Sequence, residues 1–294
     1  MSVALRPDHH DPIRPRTSDA TIKALLRRLT DRDRHLMRPI WRHRVLTTNQ
    51  LAALGWNSYN TAKQRLSTLY ELRALDRVRP FTAHGTSPWH YVLDTPGAEI
   101  LAAEDGLTLR GLGYQRSQAL AGATSSHLAH RLGVNQFFVD LYARARDEAH
   151  DAHLHWQTEA ECADIWGDIV RPDGAGSWTV GNRGVRFFLE FDNGTERLAR
   201  LRDKVAAYRE LATTADEHGV VLFALPSRKR EAHLRRALGN DVSVPVVTAL
   251  HSDHPADAVW TRVDDPHLWP RRLPDLVEQY EQPALFRREE AYGQ

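Results

Sequence analysis

Cysteine is almost missing from this chain. Cys162 stands alone among 294 residues, which excludes an internal disulfide and a thiolate zinc cluster and makes a cytoplasmic setting the expectation. Lysine is scarce too: only Lys23, Lys63, Lys204 and Lys229 occur, so arginine carries nearly all the positive charge. No run of eighteen apolar residues is present, so no membrane-spanning helix is expected. The opening residues, with Asp8, His9, His10 and Asp11, lack the apolar core of a signal peptide. A glycine-rich phosphate-binding loop is also absent, which argues against ATP use.

What remains is the composition of a soluble globular protein, 41% hydrophobic and 26% charged, long enough for two domains. The net charge of +1 hides an asymmetry. Residues 1–150 hold 21 Lys+Arg against 14 Asp+Glu, a balance of +7; the remainder holds 18 against 24, a balance of −6. A basic first half suits nucleic acid, and an acidic second half suits cations.

Residues 1–20, with Pro12, Pro15 and no apolar periodicity, read as a disordered arm. Leu36, Met37, Ile40 and Trp41 then fall at helical spacing within 31–44, where Pro39 bends or restarts the helix. Thr47 or Thr48 caps a short helix that stops at Gly55. A longer helix over 58–72 has a core face of Ala62, Leu66, Leu69 and Leu72, and Asn60, Lys63, Gln64, Arg65 and Ser67 opposite. Strands over 75–78 and 89–93 flank a turn at 84–88. Helix, short helix, longer helix and hairpin make a winged helix-turn-helix over 21–104. Its third helix would enter a major groove of double-stranded DNA, and a wing bearing Arg77 and Arg79 would lie along phosphates. A winged helix serving protein contacts is the other reading. A closing helix over 95–103 and a glycine-rich linker over 105–124 would end this domain.

A second domain is expected over 125–250, followed by an extension over 251–294 rich in Pro, Trp and Arg. It opens with a helix capped by Ser125 or Ser126 and running to about Ala149. Strands over 153–159, 168–173 and 185–192, a helix over 195–213, a strand over 220–225, a helix over 228–238 and a strand over 244–250 follow. The order describes a mixed sheet flanked by helices. Within it, Glu190 and Asp192 are wedged among Phe188, Leu189 and Phe191, and Asp173 sits in Arg171-Pro172-Asp173-Gly174. Alternation along a strand puts Glu190 and Asp192 on one face, about 6.5–7 Å apart. Ionised carboxylates so placed need a partner. Two readings stand side by side. In one, Asp173 and Glu190 hold a divalent cation. In the other they serve turns and ion pairs, with Asp192 capping the turn through Asn193-Gly194.

This order, with Pro172-Asp173 and then Glu190-Phe191-Asp192, resembles the restriction-endonuclease-like fold known by its PD-(D/E)xK motif. The resemblance implies that Asp173 and Glu190 hold Mg2+ or Mn2+ on adjacent strands; by their position in this sequence, Asp192 and Glu159 or Glu161 are candidates for a further carboxylate. The family's lysine, two residues after the Glu, is replaced here by Asp192; Lys204 on the next helix is the candidate to stand in for it. Nearly the whole chain, from the winged helix through the 127–135 helix, RPDG, FFLEFDNGTE and the helix of Lys204 and Tyr208, is similar to the replication-relaxation family and to the C class of mobilisation relaxases. That similarity implies recognition of plasmid or mobile-element origin DNA and metal-dependent nicking by Asp173, Glu190, Lys204 and Asp192. A second copy of the chain is a further candidate partner.

Two rivals belong to other classes. One is a non-catalytic replication accessory or transcription regulator whose nuclease-like domain serves oligomerisation. The other is a histidine-pair nickase built on His153-Leu154-His155, but Lys204 precedes Tyr208 rather than following it.

Overall fold

The computed structural model describes residues 14–80, 87–147, 151–239 and 242–277, a mixed α and β chain with ten helices and two sheets among them. Two compact units divide between Asn135 and Gln136.

Ordered structure lies within the arm expected over 1–20. Ser18 caps helix α1 (Asp19–Leu26), accepting from Thr21 N, and the Arg14 side chain is nearly buried. Its guanidinium lies 2.8 Å from Asp94 and 3.4 Å from Asp76, two acids that Arg73 and Arg116 also contact. Each of the two buried aspartates is thereby paired with more than one arginine, which is the condition for burying a carboxylate at all. Residues 1–13 of that arm lie outside the described residues.

Helices α2 (Asp31–Arg42), α3 (Thr48–Gly55) and α4 (Tyr59–Glu71) follow, with α2 running unbroken past Pro39. Thr30 with Asp33, and Thr47 with Gln50, form capping boxes at α2 and α3, satisfying amides that a helix start otherwise leaves unpaired. Ala62, Leu66 and Leu69 of α4 are fully buried, as their spacing predicts. Strands β1 (Leu46–Thr47), β2 (Leu75–Val78) and β3 (His90–Leu93) form an antiparallel sheet in the order β1-β3-β2. Residues 81–86, which include part of the expected wing turn, are outside the described set.

Helix α5 (Thr95–Glu104) closes this core, but the linker expected over 105–124 is not one. It carries helix α6 (Arg116–Gly122), and Tyr114 packs in the core with its hydroxyl donating to Leu93 O at 2.8 Å. The glycines there turn the chain rather than loosen it. The unit ends in the first turns of α7 (Leu128–Asp147), where Asn135 Nδ2 donates to Val45 O at 2.9 Å.

The second unit is built on seven strands: β4 (Ala152–Thr158), β5 (Gly174–Val180), β6 (Arg183–Phe191), β7 (Val220–Leu225), β8 (Val246–Leu250), β9 (Trp260–Arg262) and β10 (Pro270–Arg271). They lie in the order β10-β9-β8-β7-β6-β5-β4. The central trio β6, β7 and β8 is parallel, and both flanks are antiparallel. Parallel neighbours need crossovers, supplied by α9 (Leu198–Thr214) and α10 (Arg228–Leu238). On one face of β6, Phe188 packs with Leu201, Val205 and Tyr208 of α9. On the other, Phe187 meets Phe137 and Phe138 of α7 at ring distances of 5.9 and 6.0 Å.

Two expectations are corrected here. Residues 168–173 are not a strand, because Ile169 N and Val170 N still bond Trp166 O at the end of helix α8 (Glu159–Trp166). The true strand is the glycine-rich β5. A Cβ on Gly174 would lie 2.7 Å from the Phe138 ring, so glycine answers close packing and hides the apolar pattern. The extension from 251 is not a tail throughout: β9 and β10 widen the sheet, and Trp260 is buried.

Candidate functional site

Four polar side chains converge near the carboxyl end of β6. Glu190, the penultimate residue of β6, is 1% exposed. Its Oε2 accepts from Lys204 Nζ at 2.5 Å and its Oε1 from the Tyr208 hydroxyl at 2.6 Å. Both donors come from α9, one helical turn apart, which is why they meet one carboxylate. Asp173, just before β5, is fixed to the same strand from the other side. Its amide donates to Leu189 O at 3.0 Å, and its Oδ2 accepts from Phe191 N at 2.7 Å. The two bonds bracket Glu190 and bring the carboxylates of Asp173 and Glu190 into one electrostatic environment.

The charges respond accordingly. Burial, reinforced by Asp173, pushes the Glu190 carboxyl up to about 7 against the pull of Lys204 and Tyr208. Burial works to lower the Lys204 ammonium, yet Glu190 and Asp173 outweigh it and raise it to about 12. Burial and Glu190 hold the Tyr208 phenol well above its usual value. Cys162 is buried among the same acids and its thiol is pushed up to about 12, so no thiolate nucleophile forms at neutral pH.

Asp192 has other partners. Its Oδ2 accepts from Arg230 Nε of α10 at 2.6 Å and its Oδ1 from Gly194 N at 2.8 Å, the contacts of a turn cap and an ion pair. Gly194 has φ of +79°, which suits glycine. Arg230 also donates to Glu196 O at 2.6 Å, and Glu196 lies 3.6 Å from Lys204 Nζ. Glu159 is exposed on the first turn of α8, and Glu161 turns back to its own cap, accepting from Thr158 N at 2.7 Å. Among the described residues, no three His, Cys, Asp or Glu side chains form a group that could hold a metal ion. His153 and His155 lie on the edge strand β4, two strands from Glu190.

Three residues at this site carry no sequence signal of their own role. Tyr208 reads only as part of the apolar face of α9, Arg230 as one of many arginines on α10, and His251 as the start of a tail. The His251 ring stacks on Phe191 at 3.9 Å, and its Nε2 is 3.0 Å from Ala224 O. Helix α8 did have a signal, the capping box Thr158-x-x-Glu161. The β5–β6 hairpin had another, Gly181-Asn182 between paired Val180 and Arg183.

In the first unit, Asn60, Lys63 and Gln64 are exposed together on α4, at positions i, i+3 and i+4. Arg65 is set apart from them. Its guanidinium grips buried Asp33 at 2.9 and 2.5 Å and donates to Arg28 O at 2.9 Å. Consecutive helix positions diverge by about 100°, so Arg65 faces its own core where Gln64 faces out. Arg77 lies over the rings of Tyr70 and Trp89 at 4.2 and 4.1 Å, and Arg79 over Trp89 at 4.3 Å.

A family profile described as replication-relaxation matches residues 37–221, from within α2 to the start of β7. The chain belongs to the replication-relaxation family. Membership indicates a replication-related role. The match takes in Asp173, Glu190, Asp192, Lys204 and Tyr208, whereas Arg230 and His251 lie beyond it. No curated protein and no solved structure matches this replication-relaxation chain. No helix among its described residues is long and apolar enough to cross a membrane.

Proposed function

We propose that this replication-relaxation protein binds origin DNA of a plasmid or mobile element through a winged helix in its first unit and nicks it, metal-dependently, with a nuclease-like second unit. The DNA-binding part rests on α4, whose exposed Asn60, Lys63 and Gln64 form one polar face suited to a major groove. Arg77 and Arg79, stacked on Trp89, lie on or just beyond β2 and suit phosphate contacts.

The observation that carries the nicking part is the meeting of Asp173, Glu190 and Lys204 although no lysine follows Glu190 in sequence. The donor set fits Mg2+ or Mn2+, because a magnesium-type ion takes one or two carboxylates and completes its shell with water and phosphate. Asp173 and Glu190 would hold it, and once bound it would polarise the phosphate and lower the pKa of a water. Lys204 now neutralises Glu190; released toward the phosphate, it would orient water or stabilise charge there. Tyr208 keeps Glu190 in place. Asp192, committed to Arg230 and Gly194, shapes the loop behind the site and stands outside the donor set.

One observation favours a second reading, a scaffold without chemistry: both oxygens of Glu190 are already satisfied by protein donors. The two readings part in a single assay. Supercoiled plasmid bearing the cognate origin is incubated with protein and Mg2+ or Mn2+, with and without chelator. Conversion to open circles is expected, abolished by chelation and lowered about 100-fold or more in Asp173→Ala and Glu190→Ala, the size of losing several kcal/mol of transition-state stabilisation. Nicking that survives in both variants would overturn the metal site.

A further inference from the structure

The loop between β9 and β10 presents the most exposed large apolar side chain of the described residues. Trp269 is 67% exposed and Leu268 beside it 53%. A single exposed leucine is unremarkable, but a solvent-facing tryptophan surrenders a large area of favourable burial. Leu268 also has φ of +54°, a left-handed backbone that a leucine does not adopt without cost.

This tip is held rather than loose. Asp264 pairs with Arg262 at 2.7 Å at the start of the loop, and Asp265 lies 3.7 Å from Arg271 across it. Asp265 also accepts from His267 N at 2.9 Å through its side chain and from Leu268 N at 3.3 Å through its carbonyl. The loop acids are thereby turned toward arginines of the hairpin, while residues 266–272 (PHLWPRR) are all exposed and contain no acid. Its base is anchored on α10, where Arg235 donates to Thr261 O and Arg262 O at 2.8 Å each. The same helix turns Arg228, Lys229 and Arg236 to solvent.

We infer that the β9–β10 hairpin is a binding site for single-stranded nucleic acid, with Trp269 as a platform on which one unpaired base stacks and Arg271 and Arg272 as phosphate contacts. Every base has a π-face, so an exposed indole beside cationic side chains takes a single strand without regard to sequence. A duplex offers no free base face, which selects the unpaired strand. Nicking of the kind proposed above frees a strand end that becomes unpaired once the duplex is unwound there, and the inference rests on that reading for its biological setting.

The test uses the full chain and dT oligonucleotides carrying one 2-aminopurine, followed by anisotropy and by fluorescence quenching. Wild type is expected to bind and quench. Trp269→Ala is expected to lose about tenfold in affinity, the size of one base–aromatic contact, together with the quenching. Its salt dependence should be unchanged, since no charge is removed, and its melting temperature should hold because the ring is exposed. Trp269→Phe should restore binding in large part, and Arg271→Ala/Arg272→Ala should flatten the salt dependence. Equal affinity and quenching in wild type and Trp269→Ala would overturn the inference, as would sedimentation showing that Trp269→Ala only converts a dimer to a monomer. Either result leaves duplex binding through α4 and nicking by Asp173 and Glu190 standing. Loss of those two with single-strand binding intact would instead remove the proposed function and spare the hairpin.

Discussion

Glu190 is buried beside another acid, and its proton affinity is the residue-level quantity that reports on the site. A carboxyl whose folded pKa lies above its unfolded value keeps its proton longer in the folded chain. Its contribution therefore favours the fold below about 4.5, weakens as pH rises toward about 7, and is level above that. The difference amounts to an order of 3 kcal/mol across the window. Glu190→Gln cannot titrate there. Denaturant midpoints at pH 4.5 and 7.5 should show wild type losing about that much relative to Glu190→Gln on going to the higher pH. A gap that does not move with pH would mean that Glu190 titrates like an exposed carboxyl. Lys204 has the same sign in a higher window: its raised pKa favours the fold below about 10.5, and that share is lost as pH rises toward about 12.

At the scale of elements, α4 combines two jobs on faces set by helix periodicity. Arg65 and Asp33 tie it to α2, with the Asp33 side chain 1% and the Arg65 side chain 28% exposed. Burial alone would raise the Asp33 carboxyl, but the bonds from Arg65 and Thr30 hold it below its usual value. Arg65→Ala would leave that carboxylate buried with only its cap. The expected cost is about 2 kcal/mol, below the 3–5 kcal/mol of a fully buried pair because Arg65 keeps some water. Chemical denaturation measures it; a variant as stable as wild type would show the pair to be incidental. The arginine-rich first half thus overstates the free positive charge, since Arg14, Arg34, Arg38, Arg65, Arg73 and Arg116 all pair with acids of the same unit.

For the whole molecule, the proposal separates reading of DNA from its cleavage. Lys63→Ala should weaken duplex binding and lower the slope of log affinity against log salt by about one. Nicking should fall with it at limiting protein. Asp173→Ala should bind duplex as wild type does while nicking is lost. Filter binding across a salt series, run beside the plasmid assay, distinguishes these. An unchanged slope in Lys63→Ala would place the phosphate contacts elsewhere than α4.

The sequence by itself determined those elements whose apolar spacing is strong: α2, α3, α4, β2, β3, α9, β7 and α10, and the pairing of Asp173 with Glu190 as the residues to watch. Periodicity reports burial directly, so these needed no knowledge of neighbours. Strand β5 was illegible because its glycines answer the ring of Phe138, a contact made across 36 positions of chain. Helix α6 and Tyr114 were illegible because glycine turns look like a linker until the core they fold onto is known. The tertiary structure alone decided which charges meet. It gave Glu190 to Lys204 and Tyr208, Asp192 to Arg230, and Arg65 to Asp33. An ionised group's partner is chosen by desolvation and geometry over a few ångströms, and residue order along the chain does not encode those distances.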